Sequence, residues 1–272
     1  MQNQTPRVKR FPINEFGRDF IVGDIHGAYA AVFSAMEMVN FEPQVDRLFS
    51  VGDLVDRGVE SARCAEFLAL PYVHAVRGNH EQNLLGLYAN GEPNFDILNY
   101  MIRAYSMQWW QKTSDAERHN ILSLFSKLPN VIEVETVRGL VGMVHADIPK
   151  GMTWPEFVKR IEADDSETLS VSLEGRDRIK TMDCTGVQGV GRVFVGHTIQ
   201  RGGSVRYGNV YAVDTGAVLN EMSKEAGFAL TMANMLCATQ VLAEPRKSSL
   251  PQIVAEPDSV TNRPFSNFPL GQ

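Results

Sequence analysis

Four of the six histidines, His26, His80, His145 and His197, stand at or just past the end of a short apolar run. Asp24, Asp53 and Asn79 occupy equivalent places. The runs are Phe20-Ile21-Val22, Leu48 to Val51, Val73 to Val76, Leu140 to Val144 and Val193-Phe194-Val195, each followed within two residues by Gly or His. Ligands of open α/β sheets collect beyond the carboxyl ends of strands. One histidine beside a strand is ordinarily a satisfied structural residue. Four converging with two aspartates would bury polar groups at roughly several kcal/mol each, a cost that bound metal ions remove. Carboxylate, imidazole and an Asn carbonyl form a mixed oxygen and nitrogen donor set. That set suits Mn, Fe or Zn and disfavours calcium. Asp24 and His26 share a face of an extended segment and can chelate a single ion.

The elements that position these residues follow from the runs themselves. Short, β-branched and closed by Gly, they read as buried strands, with Val210 to Val213 before Asp214 as a further one. Val131 to Glu135 and Leu140 to Val144 read as a hairpin around Arg138-Gly139. Helical spacing follows Gly27 (Val32, Phe33, Met36, Val39) and runs over 98 to 109 (Leu98, Ile102, Tyr105, Trp109). Ser114 to Glu117 and Thr153 to Glu156 have the form of capping boxes. The Trp109-Trp110 pair is read as core packing. The expected fold is α/β with α+β mixing, a sheet sandwich with helices outside it. Residues 1–243 are expected to form one catalytic domain. Five of the 13 prolines fall after Leu242 without hydrophobic period, so 244–272 is expected to be a disordered or surface-draped tail.

Composition bounds the setting. With 272 residues, 44% hydrophobic, the chain is long enough for a large core. A formal net charge of -6 argues against a nucleic-acid surface. No run approaches the roughly 18 apolar residues of a membrane span. Cys64, Cys184 and Cys237 are too widely spaced for a zinc or redox motif and read as inert thiols in a reducing compartment. The expectation is a soluble cytoplasmic protein.

Gly23-Asp24-Ile25-His26-Gly27, Gly52-Asp53-Leu54-Val55-Asp56-Arg57-Gly58 and Gly78-Asn79-His80-Glu81 resemble, in type and spacing, the three signature blocks of the phosphoprotein phosphatases. Val144 to Pro149, Arg176 to Ile179, Gly196-His197-Thr198 and Asp214 to Ala217 resemble the bacteriophage lambda phosphatase and its bacterial relatives. The resemblance spans about 18 to 230. It implies a metallophosphoesterase-type β-sandwich flanked by helices and two divalent ions, most readily Mn2+, with Fe or Zn as alternatives. It assigns Asp24 and His26 to the first ion, Asn79, His145 and His197 to the second, and Asp53 as the bridge. His80 matches the general acid, oriented by Asp56. Arg57 and Arg176 match the phosphate-binding arginines, with Arg178 as rival to Arg176.

Such a set implies hydrolysis of phosphate monoesters by a hydroxide shared between the ions, without a phosphoenzyme. No cysteine or serine sits in a nucleophile motif. Arginine forks bind phosphate oxygens, and an imidazolium protonates a poor alkoxide leaving group. The expected substrate is a phosphoserine or phosphothreonine protein or peptide, releasing inorganic phosphate. The rival enzyme reading is a diadenosine tetraphosphate hydrolase, a group that, as the resemblance implies, typically lacks an aspartate at the position of Asp56. A non-catalytic phosphate-binding scaffold is the third reading, against which the complete metal and acid set argues. Asp147 is left between a turn cap and support of the site, Asp214 is read as shaping the turn into Gly216, His74 as core, and His119 as solvated.

Overall fold

The computed structural model describes residues 6–219, 227–236 and 240–243, with the backbone of 252–254. Strands and helices alternate early in the chain. β1 (Val8–Phe11), β2 (Asp19–Val22), α1 (Tyr29–Met38), β3 (Arg47–Ser50), α2 (Cys64–Leu68), β4 (Val73–Ala75) and α3 (Asn79–Leu87) come first. Three helices follow, α4 (Phe95–Tyr105), α5 (Gln108–Lys112) and α6 (Asp115–Ser126). The hairpin β5 (Val131–Thr136) and β6 (Gly139–Val144) leads to α7 (Trp154–Glu162), α8 (Ser166–Glu174) and α9 (Asp177–Lys180). β7 (Arg192–Val195), β8 (Val205–Tyr207), β9 (Val210–Ala212), β10 (Leu230–Asn234), β11 (Gln240–Ala243) and β12 (Gln252–Val254) close the order.

Among the described residues, twelve strands form two six-stranded sheets, ordered β1-β5-β6-β7-β9-β8 and β12-β11-β10-β2-β3-β4. Side chains alternate between the two faces of a strand, and here both faces are covered. Ile21, Phe49, Phe194 and Tyr211 meet between the sheets. Their neighbours Val22 and Leu48 face helices α1 to α6 on one side, while Val193 and Val195 face Trp154 and Phe157 of α7 on the other. Double burial explains why the strands read as unbroken apolar runs. β2, β3 and β4 run parallel, as do β6, β7 and β9. Parallel pairing brings their carboxyl ends to one rim.

The capping box at Ser114 is formed, with Ser114 Oγ accepting from Glu117 N and Glu117 accepting from Ser114 N. Thr153 caps α7, with Pro155 in its first turn. The helical period over 98 to 109 is interrupted. α4 ends at Ser106, which takes a left-handed φ of 55°, and its carbonyl accepts from Arg57 N at 3.2 Å. A tertiary contact thus overrides the local period. Strands β1, β8, β10 and β11 carry weak patterns and lie outside the apolar runs read as strands, and β12 falls in the segment expected to be a tail. Most of the 244–272 tail lies outside the described residues; Gln252–Val254 pair antiparallel with β11. Cys64 and Cys184 are free thiols, and Cys237 lies outside the described residues. No helix among the described residues is long and apolar enough to cross a membrane.

Candidate metal centre and active site

The loops after β2, β3, β6 and β7 and the first turn of α3 bring Asp24, His26, Asp53, Asn79, His80, His145 and His197 together at the shared rim, all buried. Asp53 lies at the middle. One carboxylate oxygen stands 3.5 Å from His26 Nε2 and 3.8 Å from His80 Nε2. The other stands 3.4 Å from His145 Nε2. Two groups of potential ligand atoms result, His26-Asp53-His80 and Asp53-His145-His197, and they share Asp53. Asn79 Oδ1 joins the second group, 2.9 Å from His145 Nε2 and 3.0 Å from His197 Nδ1.

Backbone carbonyls set the tautomers. His26 Nδ1 lies 2.8 Å from Val55 O and His145 Nδ1 2.8 Å from Val51 O. A carbonyl only accepts, so each Nδ1 carries the proton and each Nε2 turns a lone pair toward Asp53. Burial pushes His26 and His197 down to about 3, which keeps both imidazoles neutral. His197 Nε2 is buried without a hydrogen-bond partner among the described residues. Burial, then the charges of Asp214 and Asp53, push the Asp24 carboxyl well above its ordinary range. Neutral imidazole lone pairs facing crowded carboxylates are the donor set of divalent transition ions, so the residues fit a metal pair.

Asp24 lies buried beside these groups, where its carboxylate accepts from the His197 amide at 3.0 and 3.2 Å. His80 falls within the first group. The remaining geometry of His80 differs from that of a ligand backed by a carbonyl. Its Nδ1 lies 2.6 Å from Asp56 Oδ2, and its Nε2 3.3 Å from an Arg57 guanidinium nitrogen. Burial lowers the His80 imidazolium, but Asp53 and Asp56 outweigh it and hold the group above its ordinary value. Arg57 also reaches His26 Nε2 at 2.7 Å. Arg57 therefore bridges the two imidazoles of the first group.

The two candidate arginines of the α8–α9 junction part company. Arg176 donates to His197 O and Thr198 Oγ1, both at 3.2 Å, beside the second ligand group. Arg178 is buried and turned away, with Nε 3.3 Å from Asp147 Oδ1. Asp147 also accepts from the amides of Ile148 and Arg178, so it organises Arg178. Asp214 accepts from Gly216 N at 3.0 Å, as its turn requires. His74 packs against Phe11 and Phe49, and His119 is exposed.

The loops at this rim are strained. His26, Asp53, Asp56, Arg57 and His197 all have positive φ, between 47° and 72°. Such conformations cost non-glycine residues about 1–3 kcal/mol each and persist where surrounding contacts enforce them. Glu81 supplies one such contact. Buried, it accepts from Gly78 N and Leu54 N at 2.8 Å and from Asp53 N at 3.0 Å. It ties the Asp53 loop to the α3 start. A Cβ on Gly78 would lie 2.4 Å from Asp53 N, so only glycine admits this approach. Glu81 and Trp109 were assigned no functional role from sequence. Glu81 stands in a signature block, one residue past His80, which was the available signal. Trp109 carried none beyond its helical spacing, yet its indole donates to Asp56 Oδ1 at 2.7 Å. Beside Arg57 opens a cleft of about 430 Å3, lined also by Val59, Ser106, Gln108, Trp109 and Lys112.

A family model described as calcineurin-like phosphoesterase matches residues 20–200. The chain is 31% identical over 202 residues to serine/threonine-protein phosphatase 1 of Salmonella typhimurium, covering 73% of this chain and 86% of that protein. It is 27% identical over 176 residues to the symmetrical bis(5'-nucleosyl)-tetraphosphatase of Legionella pneumophila, covering 60% of this chain and 63% of that protein. Among solved structures, a candidate diadenosine tetraphosphatase aligns with a TM-score of 0.58 at 22% identity, over 85% of this chain and 94% of that one. That last likeness speaks to fold alone.

Proposed function

Because the chain belongs to the calcineurin-like phosphoesterase family, we propose that this metal-dependent phosphoesterase is a serine/threonine protein phosphatase acting without a phosphoenzyme. The observation that carries the reading is the buried Asp56-His80 pair, 2.6 Å apart, beside the two ligand groups that share Asp53. Asp24, His26 and Asp53 would hold one ion, and Asp53, Asn79, His145 and His197 the other, with Mn2+ the first choice and Fe or Zn alternatives. Bound there, divalent ions would supply positive charge that attracts a phosphate dianion and would make water more acidic.

The protein's own groups do the rest. Arg57, set between His26 and His80, binds phosphate oxygens from one side. Arg176, anchored to His197 O and Thr198, binds them from the other. His80 gives its Nε2 proton to the departing alkoxide, and Asp56 holds the ring through Nδ1. Serine and threonine alkoxides need that proton badly.

The second reading, hydrolysis of dinucleoside tetraphosphates, is favoured by the likeness to the Legionella protein. Symmetrical cleavage of the phosphoanhydride, however, expels a nucleoside diphosphate, already a good leaving group, and a buried acid pair adds little to such a reaction. A phosphate-binding scaffold needs no acid at all. The deciding experiment measures kcat/KM of the Mn-loaded chain on phosphoserine, phosphothreonine and phosphotyrosine peptides and on diadenosine tetraphosphate. The highest values are expected on phosphoserine and phosphothreonine. A higher value on the tetraphosphate overturns the reading, and inactivity on every substrate favours the scaffold.

A further inference from the structure

Asp56 is held at both oxygens. Oδ2 lies 2.6 Å from His80 Nδ1, and Oδ1 accepts from Trp109 Nε1 at 2.7 Å. All three side chains are buried. A carboxylate bound at one oxygen rotates about a soft terminal torsion. Bound at both, it is fixed in plane and fixes the imidazole with it. The indole is suited to this task, because its N–H only donates. It satisfies the second oxygen without offering an acceptor that competes for the His80 proton.

Trp109 is itself held. Thr113 Oγ1 donates to its carbonyl at 2.9 Å, and its ring meets Trp110 edge-on at 5.2 Å. The same segment touches the other parts of the acid site. Tyr105 meets His80 edge-on, centroids 5.3 Å apart, and Ser106 O accepts from Arg57 N. The break between α4 and α5 falls between Tyr105 and Trp109. A continuous helix would place it elsewhere relative to Tyr105.

We propose that Trp109 is a positioning residue for His80, acting through Asp56 by its indole N–H. The inference rests on the acid role of His80 given above. Packing alone predicts a different outcome, since a shape-preserving loss of the N–H would then leave the reaction untouched.

The test compares the metal-loaded full chain with Trp109→Phe, His80→Asn and the double variant. Substrates are a phosphoserine peptide and p-nitrophenyl phosphate, whose leaving group needs little proton assistance, and metal content is measured on each protein. Trp109→Phe is expected to lower kcat about tenfold on the peptide and about twofold on p-nitrophenyl phosphate, with both ions retained. It should add nothing in the His80→Asn background, the non-additivity of residues acting as one unit. Benzothienylalanine installed at position 109 keeps the indole shape with sulfur in place of N–H. It should give the same bias, and it serves if the Phe variant does not fold. If His80→Asn has its own peptide bias but loss of the N–H has none, or the loss persists in that background, the inference is overturned and the acid role stands. If His80→Asn has no bias, the acid role is overturned and this inference with it.

Discussion

Replacing Glu81 by glutamine changes one buried atom and should cost both stability and metal affinity. Glu81 Oε2 accepts from Gly78 N and Asp53 N, and Oε1 from Leu54 N. Glutamine has one acceptor oxygen. In its better orientation the new NH2 faces the Leu54 amide, so one bond is lost and two donors oppose each other. A bond to a charged acceptor is worth about 1.5–3 kcal/mol. Part of that loss is offset by removing a buried charge, whose cost is visible in the Glu81 carboxyl, pushed up to about 7 chiefly by burial and by Asp53. A net destabilisation of about 2 kcal/mol follows, or about 4 °C in Tm for a chain of 272 residues. Glu81→Ala loses all three bonds and should cost about 4–5 kcal/mol. Asp53 has φ 50°, so freeing its amide also loosens the shared carboxylate. Metal affinity of Glu81→Gln should drop about 10- to 100-fold. Urea unfolding and metal titration measure the two effects. Wild-type stability together with wild-type metal affinity in Glu81→Gln would refute the idea that Glu81 clamps the Asp53 loop.

The two arginines should separate by assay. Arg176→Ala is expected to weaken inhibition by free phosphate and lower kcat/KM at near-normal stability. Arg178→Ala instead strips the partner from buried Asp147 and should destabilise by about 3–5 kcal/mol; the reverse pattern would exchange their roles. His74 supplies an acid sensitivity away from the site. Burial, then Lys9 and Arg47, push it down to about 4, so between its ordinary 6.5 and 4 the unfolded chain binds a proton that the folded chain does not. Its contribution is intact above pH 6.5 and is lost as pH falls toward 4, about 2 kcal/mol after allowance for partial exposure. Unfolding curves of His74→Phe at pH 7 and 4.5 should differ less than those of wild type; an equal drop would place the sensitivity elsewhere.

The rim of the sandwich was legible because each of its parallel strands is buried on both faces and ends abruptly. Val22, Val51, Val144 and Val195 mark those ends, and the ligands stand within a few residues of them. Arg176 and Arg178, two residues apart, were separable only by burial, since Asp147 captures one of them from a loop 31 residues away. Glu81 acts on backbone amides, which leave no trace in side-chain pattern. Trp109 reads as core by spacing and is core by burial; its N–H bond to Asp56 lies past a left-handed turn at Ser106 that spacing does not announce. β1 and β8 end at no site motif, and β10 and β11 lie beyond the last one, so their pairing rests on tertiary partners more than on local period.

Anomalous diffraction from crystals of the Mn-loaded chain tests the metal centre most directly. Two ions about 3.5 Å apart are expected, with Asp53 between them, Asp24 and His26 on one, and Asn79, His145 and His197 on the other. Asp53→Asn should lose both ions and the activity together. A fully active enzyme holding a single ion, or a first ion bound by His80 in place of Asp24, would contradict the account.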